Sequence, residues 1–585
     1  MFQVASLKVG LIDGYDYIAL RLFGSLAPFF AKTFELDRSL RRAGLLVHPH
    51  LYAARVILAV LVSFLTAIYI AVIIVLSGST FTVKVLALFL TILAPILTLA
   101  IGLLYPSLKA EDRKRRVDSE LPFLASYLSA MAIAGVDVMR ALERVASLKV
   151  FYSVRREAQM ILRDVRFLGR NPLDAIEGNA VDHPSSYYRD FMLGYSASVK
   201  IGGNVIGYLE AKTNDIFRGR IEDLKIMSER LALYTELYII LAVIASISFY
   251  TFFTVNVMSP GAGSAGLTQM LLFSFIFMPL SALLILYLVD RAYPKTPIKL
   301  AAPQAMVLSY GVPTALIVTP IVFYAVGAHR VLEGDPITSD LIVASMTTLA
   351  TPLLAISIPG AYAWLQESRR ARGMGESIAS FLRDLVEVRK TGLSPEKSII
   401  ALSTRNYGPL TPVVKRISSS LLLGLDVEKA VASATKGYRN WVLLATLRLL
   451  TDTITLGGGS VEALDSLARY ARGIADFEAE LAKRLRVYLV MPYIGALMVA
   501  GSSMLILAYM AQTMAMTQGG DIAGLVGPVA LAISLGATLN SWLMGLVAGK
   551  LRNGTILAGF THSIILTLMT MTTIAVTLRS IQNIL

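Results

Sequence analysis

Nine stretches of the chain run for twenty or more residues without Asp, Glu, Lys or Arg, at 56–77, 85–105, 237–257, 268–289, 305–328, 341–365, 487–510, 524–549 and 555–578. Each is long enough to cross roughly 30 Å of hydrocarbon as a helix. Two long charged segments interrupt them, at 106–236 and 366–486, and both show the 3.6-residue apolar spacing of packed helices. The expected fold is therefore all-α: a polytopic membrane protein with about nine transmembrane helices and two repeated cytoplasmic helical-bundle domains. Along the chain this gives an N-terminal segment (1–54), two spans (55–105), a first helical domain (106–236), four spans (237–365), a second helical domain (366–486) and three spans (487–585). The apolar stretch Tyr17 to Ala31 is short, interrupted by Arg21 and followed by Lys32, Arg38, Arg41 and Arg42. That pattern reads as an interfacial or packed amphipathic segment, not a cleavable signal.

The two charged segments read as copies of one unit. In Glu120 to Leu142, Leu121, Leu124, Leu128 and Met131 fall on one helical face, Gly135 closes the helix and Asp137 restarts the next. Ser377 to Ile399 repeats the plan, with Gly392 in the place of Gly135 and Ser394, followed by Pro395, in the place of Asp137. A second landmark recurs further on, where Gly202 and Gly203 precede one charged helix and Gly457 and Gly458 precede another. Each of those helices, about 204–230 and 460–486, runs on into a span, so it has the reach to couple a domain mechanically to the membrane.

Composition agrees with a membrane class: 55% of residues are hydrophobic and 16% charged, and the mean hydropathy is +0.64. With the N-terminus inside, only Lys84, Arg330 and Arg579 fall outside, leaving 51 of 54 basic residues in the cytoplasm and the C-terminus external. Residues 106–236 hold 20 basic and 18 acidic residues, against 19 and 13 in 366–486. The basic runs Arg113, Lys114, Arg115, Arg116 and Arg369, Arg370, Arg372 sit next to spans. They suit either anionic lipid or an acidic docking partner. Without interleaved aromatic residues they do not suggest nucleic acid.

No catalytic, cofactor or metal signature emerges. Gly261 and Gly266 have the outer spacing of a phosphate loop, but Leu267 and Thr268 stand where Lys and Ser/Thr are needed. His48, His50, His183, His329 and His562 form no ligand pattern, and cysteine is absent. The spans contain no ionic side chain, which argues against an ion-coupled transporter or permease, the alternative that broken, repeated spans would support. Asn540 and His562 are the polar exceptions, expected to bond between helices, and Gly545 and Gly549 form a GxxxG pattern for close packing within the chain or across a dimer.

The duplicated helical unit, with Gly135 and Gly392 after its first helix and the glycine runs at 202 and 457 before its last, resembles the type II secretion system F domain. That domain builds the inner-membrane platforms of type II secretion systems and type IV pili. Spans grouped as two, four and three around two domains are similar to the archaeal branch, the platform of archaeal type IV pili and the archaellum. The resemblance implies a scaffold, not an enzyme, with no cofactor. It also implies a hexameric cytoplasmic secretion ATPase and pilin or archaellin subunits as partners, besides membrane lipid, and leaves a homodimer open.

Overall fold

The computed structural model describes residues 14–582 except 46, 77–80, 149, 259–262, 294–304, 439, 458, 487–488 and 519–522. Gly261 and Gly458, singled out from the sequence, lie outside the described residues. Among the described residues the secondary structure is helical, with no strand, and nine helices are long and apolar enough to cross a membrane. The chain folds as two compact units, the first reaching to Ile216 and taking in Leu456 and Gly457 as well, the second made of most of the chain from Phe217 onward.

In the first unit a helix over 14–23 and the helices Ala27–Thr33 and Leu36–Ala43 precede the first span, Pro49–Leu76. Ala19, Ala27, Ala31, Leu36 and Leu40 pack with Ala53, Ala54 and Leu58 of that span. Tyr17, Leu22, Leu26 and Phe29 point outward. The segment is thus packed on one face and apolar on the other, as an interfacial helix requires. Asp16 and Arg55 pair two-pronged at 2.5 and 2.6 Å, pinning it to the span.

The second span does not stop at the domain boundary. Helix α1, Phe81–Ile133, is continuous through it, about 80 Å at 1.5 Å per residue. Its far end carries Leu121, Leu124, Leu128 and Met131, all buried, each stabilising by about 1.5–3 kcal/mol relative to exposure. There follow α2 (Val138–Ser147), α3 (Ser153–Leu168), α4 (Pro172–Val181), α5 (Ser186–Lys200) and α6 (Val205–Ile239), the last running on through a π-helical turn into the third span. The helices alternate direction. Lys200 at the end of α5 reaches Asp174 and Glu177 at the start of α4. Ser185, before α5, bonds Asp118 on the membrane side of α1. The turns at 134–137, 169–171 and 201–204 therefore share the pole farthest from the membrane.

The second unit repeats this order with α7 (Met374–Lys390), α8 (Pro395–Leu402), α9 (Thr411–Leu422), α10 (Val427–Ala434), α11 (Trp441–Gly457) and α12 (Val461–Leu485). Four N-caps match in order between the copies. Asp137 and Ser394 accept from the amides of Met139 and Lys397, Asn171 and Asp426 from Leu173 and Lys429. Ser185 and Asn440 accept from Tyr188 and Leu443, and Asn204 and Ser460 from Gly207 and Ala463. The copies differ at their entry: the sixth span, Ser339–Ala371, ends at Arg372, and Gly373 breaks the helix with φ +74° before α7 begins.

Two spans of the second unit change their helical hydrogen bonding just before a proline. π-Helical turns at Phe273–Phe277 and Val307–Gly311 directly precede Pro279 and Pro313, whose rings clash with the carbonyl four residues back. The turn at Ile240–Ala245 has another cause: the Asn540 side-chain amide donates to the Ala242 carbonyl at 2.9 Å and to the Ser246 hydroxyl at 3.3 Å.

Candidate partner-contact surfaces

The two basic runs have different surroundings. Arg113 is drawn into the first domain, its side chain only 13% exposed. It donates to both carboxylate oxygens of Glu157 at 2.6 and 2.8 Å, and to the carbonyls of Arg41 and Arg42. Arg113 thus joins the N-terminal helices to the domain. Arg116 donates to Asp112 at 2.8 Å and lies over the Tyr152 ring, Arg115 lies 3.8 Å from Asp112, and Lys114 is half-buried. Arg369, Arg370 and Arg372, by contrast, are exposed at the end of the sixth span.

Around Glu157 lies a buried polar node that the sequence pattern did not reveal, because its members come from four separate helices and turns. Asn179 donates to Glu157 at 3.2 Å and Tyr188 to Asn179 at 2.8 Å. His183 accepts from the Ser185 amide through Nδ1, which leaves Nε2 facing Glu157 at 3.7 Å. Burial would push the Glu157 carboxyl up, but His183 alongside and the Arg113 guanidinium outweigh it and hold the group down at about 2. Burial pushes the His183 imidazole below its usual 6.5 against the opposing pull of Glu157. Both shifts leave the unfolded chain binding more protons. The node's contribution is therefore full above pH 6.5 and is lost on acidification, first through His183, then below 4.5 through Glu157. Glu120 is a second buried carboxylate, accepting from the amides of Tyr152, Ser153 and Val154 at 3.1, 3.0 and 2.9 Å and so capping α3.

The glycine landmarks sit at the poles of the two domains. Gly135 and Gly392 adopt φ of +78° and +91°, the left-handed conformation that closes α1 and α7. Gly202 and Gly203 form the turn before α6, and Gly457 ends α11. A further matched pair, Gly169 and Gly424, ends α3 and α9. Immediately before them stand Phe167–Leu168 and Leu422–Leu423, all exposed, with Phe167 and Leu423 each 82% so. The signal in the sequence was two large apolar residues, Gly, any residue, then Asn or Asp, present once in each copy.

Several polar groups inside the membrane bond between helices. Asn540 bonds as described, the Tyr493 hydroxyl meets His562 Nδ1 at 2.7 Å, and the Trp542 indole donates to Ser357 at 2.9 Å. At the membrane edge Lys550 donates to Asp290 at 2.8 Å. Gly545 and Gly549 face the chain's own ninth span, so the GxxxG pattern serves packing within the chain, and a homodimer would need another surface.

The fold defines a multi-pass membrane protein built around a duplicated helical domain. Residues 124–253 and 381–508 each match the family model described as type II secretion system (T2SS), protein F, so the chain carries that domain twice. Both matches begin on the first helix of a domain and end in the span that follows its last helix. Two relatives come from Methanocaldococcus jannaschii. An uncharacterised protein is 21% identical over 441 residues, 70% of this chain and 71% of its own length. Flagella accessory protein J is 22% identical over 434 residues, 69% of this chain and 72% of its own. No solved structure matches the chain.

Proposed function

We propose that this chain is the cell-membrane platform on which a type IV pilus-like filament, an archaeal pilus or archaellum, is assembled. It docks a hexameric cytoplasmic secretion ATPase and passes its motion to pilin or archaellin subunits. The observation that carries this reading is the pair of protein F domains, each prolonged by its last helix toward a span, in a chain similar over two thirds of its length to Flagella accessory protein J. Proteins of this family are generally not enzymes, and the proposed role needs no chemistry of its own: the ATPase supplies the energy and the platform supplies shape.

The exposed Arg369, Arg370 and Arg372 are the basic group best placed to meet an acidic face of the ATPase. Changing all three to Glu should lower recovery of the secretion ATPase with the detergent-solubilised chain. Full recovery would remove these residues from the interface, and no recovery even with the wild-type chain would remove the platform reading.

In this arrangement the N-terminus and both domains are cytoplasmic and the C-terminus is external. The absence of cysteine makes this directly testable with a membrane-impermeant maleimide on intact cells. Asp335→Cys should label, and Ser119→Cys and Ser419→Cys should not. Labelling only at 119 and 419 would invert the topology.

A further inference from the structure

The helices before the first span expose Tyr17, Ile18, Leu22, Leu26, Phe29 and Phe34, Phe29 to 76%. A soluble surface rarely gathers so large an apolar patch. Their other face is closed by Ala53, Ala54 and Leu58 of the first span, with Leu103 of α1 at its border. One to two turns further into that span, Leu61, Phe64 and Leu65 are exposed as well, inside a stretch that crosses the bilayer. The apolar outer face of the N-terminal helices therefore continues a surface that faces lipid.

Tyrosines and cations mark the depth. Tyr52 on the first span donates to the Gly102 carbonyl of α1 at 2.7 Å, which brings Tyr52 and Tyr105 to one level at the ends of their spans. The Arg21 guanidinium lies 5.9 Å over the Tyr17 ring, and the Lys109 ammonium 5.6 Å over the Tyr105 ring. Tyrosine with a basic tip beside it suits the headgroup layer, where the apolar body and the polar end find different surroundings. Arg21, Lys32, Arg38 and Lys109 are exposed here, against Glu35 and Glu111. Asp16 and Asp37 are neutralised by Arg55 and Arg41.

We infer that the N-terminal helices are seated in the headgroup layer of the cytoplasmic leaflet, prefer anionic lipid there, and fasten the first domain to it. Continuity with the first span is the argument for lipid as the occupant, and the surplus of exposed cations is the argument for its charge. The far end of the segment holds the domain. Arg113 donates to the carbonyls of Arg41 and Arg42, Arg156 donates to the Gly44 carbonyl at 3.0 Å, and Arg41 lies 3.3 Å from Asp182. The first domain thus has a second attachment to the bilayer besides α1, and its strength follows the charge of the lipid. This assignment goes beyond the platform reading and stands without it.

The test uses the full chain, which has no cysteine of its own, in nanodiscs of zwitterionic lipid and of the same lipid with about 30% anionic lipid. A nitroxide on Phe29→Cys or Leu22→Cys reports collisions with oxygen, which dissolves in lipid, and with a neutral nickel chelate, which stays in water. Both labels should be rich in oxygen and poor in nickel collisions, whereas a label on Phe167→Cys should show the reverse. Each Lys or Arg at an anionic surface shifts the ratio of seated to lifted segments about fivefold. Nickel collisions at residue 29 should therefore fall when anionic lipid is added, and K32E/R38E should remove that fall. A label at 29 open to nickel would show that the segment faces water and would overturn the inference. Shielding from both reagents would make protein, such as a second copy, the occupant and would overturn it too. So would equal nickel collisions in the two membranes.

Discussion

Arg113→Met is expected to destabilise the first domain by about 3–5 kcal/mol, because it leaves the Glu157 charge buried without its partner. Glu157 is 2% exposed, and after the substitution it retains only Asn179 as a donor within hydrogen-bond distance, with His183 beyond that reach. Glu157→Met should be damaging for the converse reason, stranding a guanidinium that keeps only the carbonyls of Arg41 and Arg42. The double variant R113M/E157M removes both charges at similar volume and should recover most of the loss, as buried pairs replaced together usually do. Thermal unfolding in detergent reads all three. Equal destabilisation of the single and double variants would show that the pair does not act as a unit. The wild type should also lose stability as the pH falls from 6.5, and the double variant should lose the part of that decline lying below 4.5.

The second large effect is expected at the hairpin of the eighth and ninth spans. A Cβ added at Gly549 would fall 2.2 Å from the backbone of Gly559, and one at Gly545 would fall 2.3 Å from the backbone of Ser563. The atoms met are backbone, which cannot rotate aside, so the helices must separate. Gly549→Ala should cost about 3 kcal/mol, the upper end for overpacking, and Gly549→Leu should sharply reduce the monodisperse fraction after detergent extraction. Gly501→Ala, whose Cβ meets nothing within 4 Å, is the matched control and should extract like wild type. Unchanged yield for Gly549→Leu would refute the backbone-to-backbone packing.

Much of this architecture could be read from one sequence, because bilayer thickness and helical periodicity leave few alternatives. The apolar stretches correspond to nine span-length helices, and the Leu121, Leu124, Leu128 and Met131 face is buried as spaced. Gly135 and Gly392 adopt the left-handed turn that their place after a helix suggested. Asn540 and His562 bond between helices, as expected of polar groups in hydrocarbon. The basic runs were harder. Arg113 looks in sequence like its neighbours Lys114 and Arg115, and only the arrival of Glu157 from α3 withdraws it from the surface. The run of α6 into its span was expected from the charged helix before it, but a segment limit drawn at the change from apolar to charged residues misses that α1 crosses it without interruption. The pattern marks where lipid ends, while the hydrogen-bond ladder runs on.

That continuity has an unequal consequence for the two halves of the molecule. The first domain rides on a rod that is unbroken from the bilayer to Ile133, so a sideways push on its outer end acts as a bending moment on the buried part of the same rod. The second meets its span through Arg372 and Gly373, where the helical hydrogen-bond ladder is interrupted. A load on the first domain therefore has a continuous helical path into the second span, which the second domain lacks at the sixth.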